Sequence, residues 1–273
     1  MILVNKKPIE FTVFPNGETK VNHHSIIDAV GFEEGNIEIS FKYESDMDLV
    51  HLLFVKSYLD ETMKIPVSLV IYYMPYSRMD RAQGLSAFTL KYVTNLINAL
   101  QFKTVYVLEP HSDVTTSLID RVIARYPTFN ILREAQKEIG FDSEKDYMFY
   151  PDAGAQKRYQ IQGQKHLVGY KHRNFETGKI ESFQVVGETP SEPFKAVIID
   201  DLSSYGGTFM ASAKELRALG ATEIYLVVAH AENSILEGSI FKTDLINKVY
   251  CTNSIIDLDK ANDRLAIYDV EVL

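Results

Sequence analysis

Residues 197–208, VIIDDLSSYGGT, set two carboxylates and a glycine pair within one short stretch. Val197, Ile198 and Ile199 form an apolar run of the kind that fills a buried parallel strand. Asp200 and Asp201 follow where that strand is expected to end, the level at which ligands dock on open α/β sheets. Gly206 and Gly207 allow backbone angles closed to other residues and leave amide N–H groups uncovered. Beside a helix expected from about Phe209 to Leu219, such donors cradle a phosphate. Carboxylates do not hold phosphate directly, but they accept hydrogen bonds from a sugar diol or hold a magnesium ion that carries phosphates. One loop could therefore grip both ends of a ribose phosphate. It is no Walker loop, since no Gly-Lys-Ser/Thr follows, and the G-x-G-x-x-G spacing is absent. The competing interpretation is a plain strand–turn–helix whose glycines only make the turn.

Other polar clusters fall at the ends of expected strands. The strand Val67 to Tyr73 runs into Met74-Pro75-Tyr76-Ser77-Arg78-Met79-Asp80-Arg81. Arginine on phosphate, with an aromatic or guanidinium plane on a base, would clamp a nucleotide there; the alternative is a solvated loop with surface ion pairs. The strand Val105 to Leu108 closes in Glu109-Pro110-His111-Ser112-Asp113, where His111 is either structural or a metal or catalytic group. Tyr147 to Tyr150 leads to Pro151-Asp152-Ala153-Gly154, an acid and small residues opening a helix. His166 to Tyr170 leads into Lys171-His172-Arg173, which suits either polyphosphate or a basic surface loop.

The elements that position these clusters alternate. Ile2 to Val13 is expected as a strand or hairpin, followed by a turn at Phe14 to Glu18. Asn36 to Tyr43 alternates as a half-buried strand would. Asp46 is expected to cap a helix reaching about Glu61, with Leu49, Leu52, Leu53 and Val55 buried. A helix follows at Ala87 to Leu100, and residues 114–140 read as one or two helices broken at Tyr126-Pro127. A hairpin turn at Glu176 to Lys179 precedes a returning strand, Ile180 to Val186. Glu223 to Ala229 is a further strand, with His230 to Asn233 past its end, and late strands are expected at Val249 to Thr252 and Ala266 to Val272. The pattern is α/β with mainly parallel sheets flanked by helices. The expected domains are 1–127 and 128–261, with the strand in 262–273 returning to the first.

Bulk properties narrow the partners. A net charge of −9 over 273 residues argues against a general nucleic-acid binder. A single cysteine, Cys251, excludes an internal disulfide or a cysteine-rich zinc site, and its strand-like setting suggests a buried thiol. The opening MILVNKKPIEF is too short an apolar run for a leader, and no run is long enough to span a membrane. A cytoplasmic protein without a membrane partner is expected.

Taken in order, these segments resemble those of the ribose-phosphate diphosphokinases (PRPP synthetases), and the central loop also resembles that of type I phosphoribosyltransferases. Phe14-Pro15-Asn16-Gly17-Glu18 is similar to the family's Phe-Ser-Asp-Gly-Glu turn, and Tyr76-Ser77-Arg78-Met79-Asp80-Arg81 to its Tyr-Ala-Arg-Gln-Asp-Arg segment. The resemblance implies that Phe14, Asn16, Glu18, Arg78, Met79, Asp80 and Arg81 bind ATP. Pro110-His111 and Pro151-Asp152-Ala153-Gly154 match segments that serve magnesium, which implies His111 and Asp152 as metal ligands and Asp152 also at the ribose. Lys171 and Arg173 fall where the family has flexible-loop catalytic residues; together with His111 they are the implied catalytic set. Asp152, Asp200, Asp201, Ser203, Ser204, Tyr205, Gly206, Gly207 and Thr208 are the implied ribose-phosphate residues. The implied fold is two type I phosphoribosyltransferase-like domains, and the implied assembly a homo-oligomer, dimer or hexamer.

The implied reaction moves the β,γ-diphosphoryl group of ATP to the 1-hydroxyl of ribose 5-phosphate, giving PRPP and AMP, with magnesium as cofactor. The sequence departs from the family at Asn16 (usually Asp), Ala82 (often Lys), Glu109 (Asp) and Ser204-Tyr205 (Asp-Thr). The last change falls where the 5-phosphate is held and opens an alternative: the same chemistry on a 5-substituted ribose such as ADP-ribose, within NAD metabolism. A PRPP-consuming phosphoribosyltransferase and a non-catalytic regulatory relative are the remaining readings.

Overall fold

The computed structural model describes residues 1–31, 35–173 and 180–272, leaving the side chains of 171–173 and 180–183 outside the described set. The chain divides between Arg125 and Tyr126 into two units. In the first, β1 (Ile2–Val4), β2 (Lys7–Pro8), β3 (Phe11–Val13), β4 (Thr19–Val21), α1 (His23–Val30), β5 (Ile37–Phe41), α2 (Met47–Thr62), β6 (Val67–Ile71), α3 (Thr89–Ala99), β7 (Val105–Leu108), α4 (Asp113–Leu118) and β8 (Val122–Arg125) follow one another. The sheet order is β2-β1-β5-β6-β7-β8, with β3 and β4 forming a separate hairpin. From β5 to β8 the strands run parallel. Strand β5 is buried beyond the alternation of its sequence, because it lies inside the sheet between β1 and β6.

Three local expectations fail in this unit. Val122–Arg125 is a strand, β8, hidden in the sequence by its shortness and by the helices on either side. Leu53 is exposed; the inner face of α2 is Leu49, Leu52, Val55 and Leu59. Asp46 occupies the N-cap position of α2 but makes no capping bond. Its carboxylate instead accepts from the Tyr43 hydroxyl at 2.6 Å and from the Tyr76 hydroxyl.

The second unit contains α5 (Thr128–Ile139), β9 (Tyr147–Tyr150), α6 (Ala153–Tyr159), β10 (His166–Arg173), β11 (Ile180–Gly187), β12 (Phe194–Ser203), α7 (Gly207–Ala218), β13 (Ala221–Ala231), β14 (Lys248–Thr252) and β15 (Leu265–Tyr268). Its sheet order is β11-β10-β9-β12-β13-β14-β15, parallel except for the β10–β11 pair. One face packs Phe149, Ile198, Leu226 and Cys251 against Ala213 and Leu216 of α7. The other packs Met148, Ile199 and Val227 against Ile131 and Ala135 of α5. The Cys251 thiol is buried, and that burial pushes its pKa up to about 12, so it is an inert core group.

Here too the strands overrun their expected ends. Pairing of β12 with β13 continues through Ser203 and Ala231, so Asp200 and Asp201 lie within β12, and His230 lies within β13 and is buried. Two adjacent parallel strands sustain each other past the point where apolar composition stops. Strand β15 pairs with β14, so the last strand completes the second unit and does not return to the first. The hairpin turn expected at Glu176 to Lys179 lies outside the described residues.

Candidate active site

The central strand of the second unit, β12, has β9 on one side and β13 on the other. Parallel pairing with β9 brings the start of α6 beside the end of β12, and Asp152 with it. Asp152 caps α6 by accepting from the Ala155 amide at 3.0 Å. Burial, then the charges of Asp201 and Asp152, push the Asp200 carboxyl well above the usual carboxylate range. Arg158 of α6 lies 3.6 Å from Asp201. The site therefore gathers Asp152, Asp200 and Asp201, with the Arg158 guanidinium beside Asp201. Such oxygen donors suit a hard dication. Among the described residues no three His, Cys, Asp or Glu side chains close into a metal cage. That is acceptable for magnesium, which keeps waters and takes substrate phosphates in place of protein ligands.

Past the carboxylates the chain turns through Ser204 and Tyr205 to Gly206, which has φ +80° and precedes α7. The Tyr205 ring is 61% exposed, so its phenol faces outward from the loop. Among the described residues, the amides of Tyr205 and Gly206 donate to no protein acceptor. With the first amides of α7 beside them, they are the donors a phosphate would meet. The serine hydroxyls are differently placed. Ser203 is fully buried and donates to the Ser204 carbonyl at 3.3 Å, while Ser204 Oγ lies 3.0 Å from Ser234 Oγ.

Residues 232–242 form a wall behind this loop. The Glu232 amide donates to the Ser203 carbonyl at 2.9 Å. Gly238 lies so close to Tyr205 that a Cβ there would overlap the Tyr205 carbonyl oxygen and come within 2.9 Å of its carbon. A Cβ at Gly206 would come within 2.7 Å of Ile240 Cγ1. Arg264, just before β15, braces the wall by donating to the carbonyls of Ile240, Thr243 and Ile246 at 3.2, 2.7 and 2.7 Å.

In the first unit, the loops after the neighbouring strands β6 and β7 lie side by side. Asp80 is buried, and Arg81 Nε donates to it at 2.9 Å. Burial raises the Asp80 carboxyl, but hydrogen bonds from Arg81 and Ser112 and the charge of Arg81, with a smaller contribution from His111, hold it below the usual range. The structure thus associates Asp80, Arg81 and His111, while Arg78 and Met79 are exposed on the same loop. Tyr76, which opens it, has φ +61°, and its hydroxyl is the one held by Asp46. Phe14, Asn16 and Glu18 occupy the exposed tip of the β3–β4 hairpin, where Asn16 Nδ2 donates to Glu18 Oε2 at 2.8 Å. Lys171 and Arg173 lie on the backbone of β10; their side chains are outside the described residues.

Sequence reasoning missed Arg158 and Ser234, took Asp46 only as a helix cap, and reached Glu232 only as part of the stretch His230 to Asn233 past a strand end. Arg158 sits six positions after Asp152 on the adjoining short helix, a spacing that could have drawn attention to it. The others act across long separations that local pattern does not reveal.

Parallel strands ending in these loops define a fold that the comparisons identify. A phosphoribosylpyrophosphate synthetase from Mycobacterium smegmatis superposes with a TM-score of 0.74 over 97% of this chain and 86% of that one, at 19% sequence identity. The ribose-phosphate pyrophosphokinase of Sulfurisphaera tokodaii is 25% identical over 82% of this chain and 76% of its own length. That of Mycoplasmopsis pulmonis is 25% identical over 92% and 77%, and that of Pyrococcus abyssi 26% identical over 90% and 84%. No family model matches the chain. The chain is thus similar over most of its length to ribose-phosphate pyrophosphokinases and shares the fold of a phosphoribosylpyrophosphate synthetase. Among the described residues, no helix is long and apolar enough to cross a membrane.

Proposed function

We propose that this protein transfers the β,γ-diphosphoryl group of ATP to the 1-hydroxyl of a ribose bearing a 5-phosphate, ribose 5-phosphate being the simplest such acceptor, with PRPP and AMP as products. The observation that carries this reading is the single loop joining Asp200 and Asp201 to the open amides of Tyr205 and Gly206. Carboxylates accept from the 2- and 3-hydroxyls while the amides and Thr208 donate to the 5-phosphate. ATP is assigned to Phe14, Asn16, Glu18, Arg78, Met79, Asp80 and Arg81. Magnesium is assigned to His111 and Asp152; when bound it neutralises phosphoryl charge. Lys171 and Arg173 are assigned to charge developing on the transferred group. A cytoplasmic homo-oligomer completes the proposal.

A second reading, transfer to a 5-substituted ribose such as ADP-ribose, is favoured by the outward Tyr205 ring and by the absence of an acid at position 204. An open phenol beside the phosphate cradle offers a stacking surface to a larger substituent. Purified protein incubated with ATP, magnesium and either ribose 5-phosphate or ADP-ribose should release AMP and gain a diphosphate on the sugar, read by mass. AMP-free mixtures with both sugars would sink both readings.

The latch on Tyr76 supports a further expectation. Tyr76 holds a backbone angle uncommon outside glycine, and its hydroxyl is tied to the start of α2 through Asp46. Asp46→Ala should loosen the loop that carries Arg78 and Asp80. ATP binding, followed by titration calorimetry, should weaken several-fold while ribose 5-phosphate binding stays unchanged.

A further inference from the structure

We infer that Glu232, acting through Ser234, fixes Ser204 as a hydrogen-bond acceptor at the central loop and thereby selects against a doubly ionised 5-phosphate. The inference rests on the reading of residues 200–208 as a ribose-phosphate site and goes beyond it by naming the charge state that the site takes.

Protons can be counted along these side chains. Ser234 Oγ donates to Glu232 Oε2 at 3.2 Å. Ser234 and Ser204 Oγ are 3.0 Å apart. A hydroxyl carries one proton. Ser234 has committed its proton to the carboxylate, so the proton between the serines belongs to Ser204. Ser203 gives its own to the Ser204 carbonyl. Neither loop serine then has a proton left for a ligand, and a phosphate oxygen that reaches Ser204 Oγ meets a lone pair. A fully ionised phosphate oxygen only accepts, so it meets lone pair with lone pair, with the Glu232 carboxylate one hydroxyl behind. A singly ionised monoester still carries a P–OH that donates to Ser204. A 5-phosphate that is itself esterified never acquires the second charge. The class of ligand favoured is therefore a ribose whose 5-phosphate is singly charged, whether by protonation or by substitution.

Other groups near the loop also titrate or carry charge. They are Asp200, Asp201 and Tyr205 on the same stretch, Asp152 and Arg158 on α6, Glu237 in the wall, and His230 in β13, whose Nδ1 lies 2.7 Å from Ser254 Oγ. Both a monoester and a diester bound at the loop experience all of these. Only the monoester has a second ionisation of its own, so the ratio of the two affinities isolates it.

The experiment is calorimetric titration of the full-length protein, at fixed magnesium, with ribose 5-phosphate and with its 5-(methyl phosphate) ester. In the wild type, affinity for the monoester relative to the ester should fall between pH 5.5 and pH 7.5 by up to about 25-fold, the loss of the singly charged fraction for a second pKa near 6. Ser234→Ala frees the Ser204 proton, and Glu232→Gln allows the chain of hydroxyls to reverse; both should flatten that ratio against pH. Thermal melts check that each variant folds, and the two replacements disturb the wall differently, so one suffices. A wild-type ratio independent of pH, or a slope unchanged in the folded variants, would overturn the inference and leave the loop assignment standing. If neither ligand binds at either pH, the assignment of the loop falls and the inference with it.

Discussion

Replacing Asp200 by asparagine should make the metal-free protein more stable at neutral pH while lowering kcat/KM for the ribose phosphate by about two orders of magnitude. The stability half follows from the raised pKa of the Asp200 carboxyl, caused first by burial and then by Asp201 and Asp152. A carboxyl with a higher pKa in the folded than in the unfolded chain favours folding while protonated. Between the ordinary carboxylate range and that raised value, the folded chain holds more protons than the unfolded one, so stability declines as pH rises. Asparagine has no proton to lose. The difference in Tm between variant and wild type should therefore be small near pH 4, the ordinary carboxylate range, and widen toward neutrality. Magnesium should narrow it again by stabilising the wild type more than the variant. The activity half follows because an amide cannot replace a carboxylate as a pure acceptor for a sugar diol. A variant less stable than wild type at neutral pH would refute the electrostatic argument, whatever its activity. This is the trade expected where a site crowds carboxylates together for function.

Gly238→Ala should disable the same site from behind. The new methyl group would overlap the Tyr205 carbonyl oxygen, and main chain lies on both sides of the contact. Backbone cannot swing aside as a flexible side chain would, so either the 204–206 turn or the 232–242 wall must move. Overpacking of this kind destabilises by about 1–3 kcal/mol. The larger effect should be on the ribose phosphate, because displacing Tyr205 misaims the amides of Tyr205 and Gly206 together. Affinity for the sugar phosphate should fall at least about tenfold, the result of losing roughly one charge-assisted hydrogen bond, while ATP affinity should be unchanged. Titration of each ligand separately distinguishes this from general loss of folding. Equal weakening of both ligands would mean that the clash is relieved elsewhere.

The central loop was legible because its parts are local. Three apolar β-branched residues, two acids and two glycines occur within a dozen positions, and each carries a distinct backbone or chemical meaning. The alternation of strands and helices was legible for the same reason. Element ends were less so, since β12 and β13 extend each other through mutual pairing that no single stretch encodes. Asp46 shows how a sound local rule is overridden: an aspartate at a helix start normally caps it, but Tyr43 and Tyr76 compete for the carboxylate, and Tyr76 arrives from 30 residues away. The proton chain from Glu232 to Ser204 was invisible for a similar reason, as it joins the loops that follow β12 and β13 through side chains of unremarkable type.

The exposed Tyr205 ring has a practical consequence. The chain contains no tryptophan, so Tyr205→Trp would place a lone indole emitter on the loop itself, with no background from elsewhere in the protein. Its emission would report arrival of the sugar phosphate in real time, separately from nucleotide binding. The order in which the two ligands are taken up would become readable by stopped-flow mixing, without any label attached to either ligand.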